Sequence, residues 1–100
     1  MIIYLVEIDV DCSIQAKWIK WMKKKHIPDV MNTKLFTQSS FLKEVNFQNK
    51  YIIQYKLKSI KDLIEYENKF ATQLKKEHNE KFKGKFTAKR EVLQEVIIKK

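Results

Sequence analysis

Residues 2–22 read IIYLVEIDVDCSIQAKWIKWM, and a change of period inside this stretch decides the fold. Residues 2–10 alternate with period two. Tyr4, Val6, Ile8 and Val10 fall on one face, and Ile3, Leu5, Glu7 and Asp9 on the other. Apolar residues on both faces near the start mark a central strand. Asp11 then offers an N-cap oxygen, with Ser13 as the other candidate. From Ile14 the period lengthens. Ile14, Trp18, Trp21 and Met22 stand at i, i+4, i+7 and i+8, while Lys17, Lys20, Lys23 and Lys24 lie mostly opposite. A strand passes directly into an amphipathic helix.

That helix runs toward the only proline of the chain, Pro28. A proline there lacks the N–H that would bond the Lys24 carbonyl, and its ring crowds that turn. The helix should end or kink at this point, with Asp29-Val30-Met31 as one further turn. His26 is four residues beyond Met22 and continues one shoulder of the apolar stripe.

Beyond the helix, residues 35–47 predict a second strand with a bulge near Ser39-Ser40. Gln48-Asn49 is a short turn, and residues 50–57 are a third strand with Tyr51, Ile53, Tyr55 and Leu57 on one face. The short connection makes the two an antiparallel hairpin. Ser59 to Asp62 opens a second helix with a capping-box pattern. Its stripe is Ile60, Leu63, Ile64, Phe70, Ala71 and Leu74, with Glu67 unusually inside it. His78 would join the stripe if the helix ran that far. Residues 79–84 read as a loop ending in the single glycine, Gly84, and residues 86–98 as the last strand.

The order strand, helix, strand, strand, helix, strand belongs to the α+β class. It predicts a ferredoxin-like βαββαβ domain over residues 1–100, a four-stranded antiparallel sheet with both helices on one face. Most of the strands supply apolar residues to the second face as well, so a partner sheet is expected to cover it in a homodimer.

Composition narrows the function classes. The net charge is +9, from 21 Lys+Arg against 12 Asp+Glu. Such a surface attracts polyanions. The lysines are dispersed, however, and Arg90 is the only arginine, the residue expected for bidentate phosphate or base contacts. A solvated lysine surface is the simpler reading, and nucleic acid is not the expected partner. The lone Cys12 cannot form an internal disulfide and suits a reducing cytoplasm. The opening apolar run is broken by Glu7 and Asp9, so neither a signal peptide nor a membrane span is expected.

No residue spacing names a reaction. One Cys and two His make no structural zinc site, and no glycine-rich loop or Ser-His-Asp pattern is present. Nothing demands flavin, haem or metal. What remains is a set of candidate pocket residues: His26, Trp18, Met22, Tyr55, Glu67, His78 and Arg90, with Trp21 beside them. A cavity between helices and sheet could gather them, and His26 could serve there as acid or base. Each also has a plainer role. A histidine near a helix end suits the dipole, tryptophans at helical spacing pack a core, and Glu67 can reach solvent or a lysine. Arg90 shares a strand face with Phe86, Ala88 and Val92, so it needs a partner: Glu7, Asp9, Glu67 or an anionic ligand. An internal ion pair is the expectation.

The run from Trp18 to Phe36, W-x-x-W-M-x-x-x-H-I-P-D-V-M-x-T-x-L-F, carries a resemblance, supported by IIYLVEIDV before it. Gln54-Tyr55, Leu63-Ile64-Glu65-Tyr66 and Glu77-His78 with Phe82 and Phe86 extend it. Together they resemble an uncharacterised family of small bacterial proteins, a domain of unknown function. The resemblance implies a dimeric α+β barrel and no assigned activity. More remotely, His26-Ile27-Pro28 is similar to the H-x-P that ends the first helix in EthD-type dimeric α+β barrels. That wider superfamily includes antibiotic-biosynthesis-type monooxygenases, haem-degrading enzymes and muconolactone isomerases, with pockets between sheet and helices.

Three functions compete at this point. One is a small-molecule-binding barrel, enzymatic or not, with His26 in its pocket. Another is a nucleic-acid module stacking bases on Tyr4 and on Tyr51 or Tyr55 of the sheet. The third is a structural or partner-binding dimer. The first is preferred.

Overall fold

The computed structural model describes residues 1–99. Strand β1 (Ile2–Val10) ends in a single 3-10 turn, Cys12–Ile14, capped as expected by Asp11. Its carboxylate accepts from the Ser13 backbone N–H at 2.9 Å. Helix α1 spans residues 15–31 in three parts: α-helical Gln15–Trp21, a π-turn Met22–His26, and α-helical Ile27–Met31. Strands β2 (Gln38–Lys43) and β3 (Lys50–Leu57) follow. Helix α2 spans residues 60–81, again with a π-turn, Glu67–Ala71, between Ile60–Tyr66 and Thr72–Lys81. Strand β4 (Phe86–Gln94) closes the fold.

The sheet order is β2-β3-β1-β4, antiparallel throughout, with β1 paired on both sides. This is the ferredoxin-like α+β fold. The helices cover one face of the sheet. On that face Ile2, Tyr4, Val6, Ile8 and Val10 of β1 are buried, and so are Tyr51, Ile53, Tyr55 and Leu57 of β3. Trp18 of α1 lies over Tyr51, and Tyr66 of α2 over Tyr4. On the other face Ile3, Leu5 and Ile52 are half-buried, while Leu42 and Leu93 are 46% and 40% exposed.

The elements differ from expectation in five places. Helix α1 neither ends nor breaks at Pro28. The Ile27 N–H bonds the Met22 carbonyl, an i to i−5 step that widens the helix one residue before the proline ring must be placed. Strand β2 is shorter than residues 35–47 and pairs in continuous register with β3, with no bulge at Ser39-Ser40. Phe36 turns in instead to pack on Tyr4, Tyr55 and Tyr66. The hairpin connection is residues 44–49 and is closed where Glu44 N–H bonds the Lys50 carbonyl at 2.9 Å.

Helix α2 runs on to Lys81, so residues 79–81 are helical rather than loop. Its buried stripe is Leu63, Tyr66, Ala71 and His78, while Ile60 and Ile64 are 48% and 54% exposed. The step from Tyr66 to Ala71 is five residues, and the π-turn absorbs it. A regular 3.6 period therefore misplaces the face. Strand β4 stops at Gln94, short of 98, because β1 begins at Ile2. The last ladder-like bond is Glu95 N–H to the Met1 carbonyl at 2.9 Å, and Val96, Ile97 and Ile98 have no strand left to pair with.

The two candidate stripes of α2 separate by mutation. Leu63→Ala should cost about 2–5 kcal/mol, as for a core leucine. The adjacent Ile64→Ala should stay within about 0.5 kcal/mol. Denaturant titration measures both, and equal losses would contradict this assignment of the helix faces.

Candidate functional site

Between the helices and the sheet lies a cavity of about 30 Å³. Its floor is Tyr4, Val6, Ile8, Ile53 and Tyr55 from the two central strands. Met22, His26 and Val30 of α1 form one wall, and Tyr66, Leu74, Lys75 and His78 of α2 form the other. Arg90 of β4 stands at the rim, exposed to solvent. The first π-turn lines this space, and the second lies between two of its lining residues, Tyr66 and Leu74. The first carries Met22 and His26 into it; the second follows Tyr66 and rotates Leu74 and Lys75 toward it. Such turns recur at functional sites because they re-aim side chains without ending a helix.

His78 is buried and its role is structural. Trp18 Nε1–H donates to His78 Nε2 at 2.9 Å, joining the helices inside the core. The imidazole also lies flat on Phe86, 3.9 Å between centroids at 5°. Accepting at Nε2 places the proton of the neutral ring on Nδ1.

His26 differs. Its ring stacks on Trp21 at 5.2 Å and approaches His78 at 5.1 Å. Its Nδ1 is buried without a hydrogen-bond partner. An unpaired buried polar atom costs roughly 1–3 kcal/mol, so its presence at a cavity wall is the strongest chemical signal in the fold. Burial lowers His26 to about 4, with only partial opposition from the Asp29 and Glu77 charges. Burial also lowers His78, to about 3, and the neighbouring His26 and Arg90 add to the effect. Both rings are neutral at pH 7.

The Arg90 end is phenolic. Burial raises the hydroxyls of Tyr4, Tyr55 and Tyr66 above the ordinary tyrosine value, and the Arg90 guanidinium partly offsets this at Tyr4. All three remain protonated. The expected ion pair of Arg90 is absent: no carboxylate lies within 4.0 Å of it among the described residues. Register explains this. Arg90 pairs with Val6 and faces the helices, while Glu7 and Asp9 face the other way, where Asp9 meets Lys50 at 3.9 Å. Glu67 is exposed and pairs with Lys75 at 3.6 Å.

Of the candidates named from sequence, His26, Met22, Tyr55, His78 and Arg90 line the cavity. Trp18 lies behind it, fully buried and bonded to His78, and Glu67 lies outside it. Tyr4, named from sequence only as a base-stacking candidate, also lines it, as do Tyr66 and Lys75, which were not among the pocket candidates. Tyr66 and Lys75 flank the π-turn, so a regular helical period hides them. Tyr4, Tyr51 and Tyr55 are buried beneath the helices, which removes them as a base-stacking platform. No group of three or more metal-ligating side chains occurs among the described residues.

The lowered histidines link stability to acid. In the unfolded chain each titrates near 6.5, but the folded state resists the proton down to about 4 and 3. Their contribution is therefore complete above pH 6.5 and declines as pH falls. The slope is about 1.4 kcal/mol per pH unit for each histidine until its folded value is reached. Denaturant midpoints from pH 7.5 to 4.5 should fall accordingly, and less steeply in His26→Phe. A flat profile would mean that both rings are solvated.

Two solved structures share this fold. A protein from Nitrosomonas europaea, provisionally named an antibiotic biosynthesis monooxygenase, superposes with a TM-score of 0.72 at 9% identity, covering 97% of this chain and 100% of that one. A crystal structure of an MhuD point mutant with two manganese protoporphyrin IX molecules bound per active site superposes with a TM-score of 0.71 at 14% identity, covering 100% and 99%. At such identities the likeness is one of fold alone. No curated protein matches the sequence significantly. The family model for a domain of unknown function, DUF4286, matches residues 1–96, and the chain belongs to that family.

Proposed function

We propose that this protein is a small-molecule-binding domain whose site is the cavity beside His26. The observation that carries the reading is the buried, unpartnered His26 Nδ1 on the cavity wall. Arg90, with no carboxylate within 4.0 Å among the described residues, supplies a cation at the rim, and protonated phenols supply donors between the two. The arrangement suits a small acid or phenol: its charge toward Arg90, its hydrogen-bonding group toward His26.

The weak basicity of His26 favours binding over general-base catalysis. A base held near 4 is deprotonated at neutral pH but weak, far from the matched value that general-base catalysis uses. An anionic ligand close to the ring would raise it. The volume of about 30 Å³ holds a water or a ligand of a few heavy atoms, and anything larger needs side chains to repack.

The functional unit in this reading is a homodimer. The helix-free sheet face presents Ile3, Leu5, Leu42, Ile52 and Leu93, and the segment Val96-Ile97-Ile98 is more than 80% exposed at each position. Apolar surface of this kind calls for a cover, and a second copy supplies the matching face. A cytoplasmic setting agrees with the exposed, unpaired Cys12. No helix among the described residues is long and apolar enough to cross a membrane.

Two experiments test the reading. Formate, acetate and phenol are titrated while the histidine ring nitrogens are followed by NMR. At least one should shift His26 saturably and lose that effect in Arg90→Gln. Unmoved His26 signals with all three probes would remove the cavity as the site. Separately, light scattering should give twice the chain mass, reduced to one by Leu5→Lys. A wild-type monomer would remove the dimer while leaving the cavity reading intact.

A further inference from the structure

On the outer side of Trp21 the chain forms a second concavity, a groove of about 580 Å³. That volume lies in the range of small-molecule sites. Its apolar lining is Ile14, Trp21 and Phe82, and Lys17, Lys20, Lys24 and Lys81 surround it. None of these four lysines has a carboxylate within 4.0 Å among the described residues. The fifth lysine of the lining, Lys25, is held by Asp29. The helix period explains the cluster. Lys17, Lys20 and Lys24 share the outer face of α1, and α2, running on to Lys81, adds a fourth ammonium from across the groove.

Trp21 makes this more than a charged surface. One side of the indole is stacked on His26 at 26°, and Phe82 meets it nearly edge-on, at 73° and 5.4 Å. The ring is held by His26, His78 and Phe82, and the residue lines the groove. A rigid aromatic shelf ringed by ammonium groups selects a flat ring that carries several negative charges. Lysines are mobile point charges, able to meet phosphate oxygens whose positions vary. An anionic membrane surface also attracts lysines and tryptophan, but it needs an aromatic ring that protrudes. Trp21 is half-buried and lines a concavity.

We infer that this groove binds a nucleoside polyphosphate, its base stacked on Trp21 and its phosphates on the lysines of α1 and α2. The inference is independent of the cavity reading, since it uses none of the cavity's polar groups.

The probe is ADP, titrated calorimetrically into the wild-type chain at low and physiological salt, with tryptophan fluorescence in parallel. One ADP should bind per chain, quench the fluorescence, and bind more weakly as salt rises. Adenosine and pyrophosphate should each bind at least about tenfold more weakly, because each lacks half of the recognised chemistry. Lys20→Glu with Lys24→Glu reverses two exposed charges away from the core. It should lower ADP affinity at least about tenfold while leaving the thermal melt unchanged. The inference is overturned by no saturable ADP binding, by pyrophosphate binding as well as ADP, or by full affinity in the double variant. It is equally overturned if the chain binds single-stranded oligonucleotide or anionic vesicles while ignoring ADP.

Discussion

The hydrogen bond from Trp18 to His78 is the constraint on which the rest of the structure depends. It joins the two helices 60 residues apart in sequence, inside a core where neither atom can turn to water. Its net worth is about 0.5–1.5 kcal/mol, but leaving either group unmet would cost about 1–3 kcal/mol. The bond therefore fixes the rotation of both helices over the sheet. It also requires His78 to be neutral, because a protonated ring has no lone pair for the indole. Helix docking and protonation are the same question in this protein.

With His78 held, the neighbouring His26 has little freedom. The π-turn carries it inward, Trp21 stacks on it, and no polar group among the described residues meets its Nδ1. The two π-turns are thus linked to the site by geometry. Each inserts a residue where a regular helix would direct a different side chain inward. Trp21 packs on both interior histidines and lines the lysine-ringed groove, while the two concavities have no lining residue in common. Fold likeness to a monooxygenase-named protein and a porphyrin-bound one adds no chemistry to this picture, because sites are grafted onto folds.

The charge of +9 also takes a definite form. Linear dispersion of lysines in sequence does not imply dispersion in space. Lys17, Lys20 and Lys24 share a helix face at 3.6 residues per turn, and Lys81 arrives from a distant helix. Arg90 is set apart from them at the cavity rim.

What the sequence by itself determined was the strand and helix order, which residues of β1 and β3 share a face, the Asp11 and Ser59 caps, and the inward shoulder position of His26. These follow from local periodicity and local capping, which act over a few residues and are written in adjacent side chains. Tertiary structure alone decided the rest. The inner face of α2 depends on a five-residue step that no 3.6 period anticipates, so Tyr66 and Lys75 were hidden and Ile60 and Ile64 misplaced. The end of β4 depends on where β1 begins, a fact about pairing rather than propensity. Arg90 lost its expected carboxylates because register turned Glu7 and Asp9 to the opposite face. The partner of Trp18 and the loneliness of His26 Nδ1 exist only once two helices lie side by side, because hydrogen bonds between distant segments leave no period in the chain.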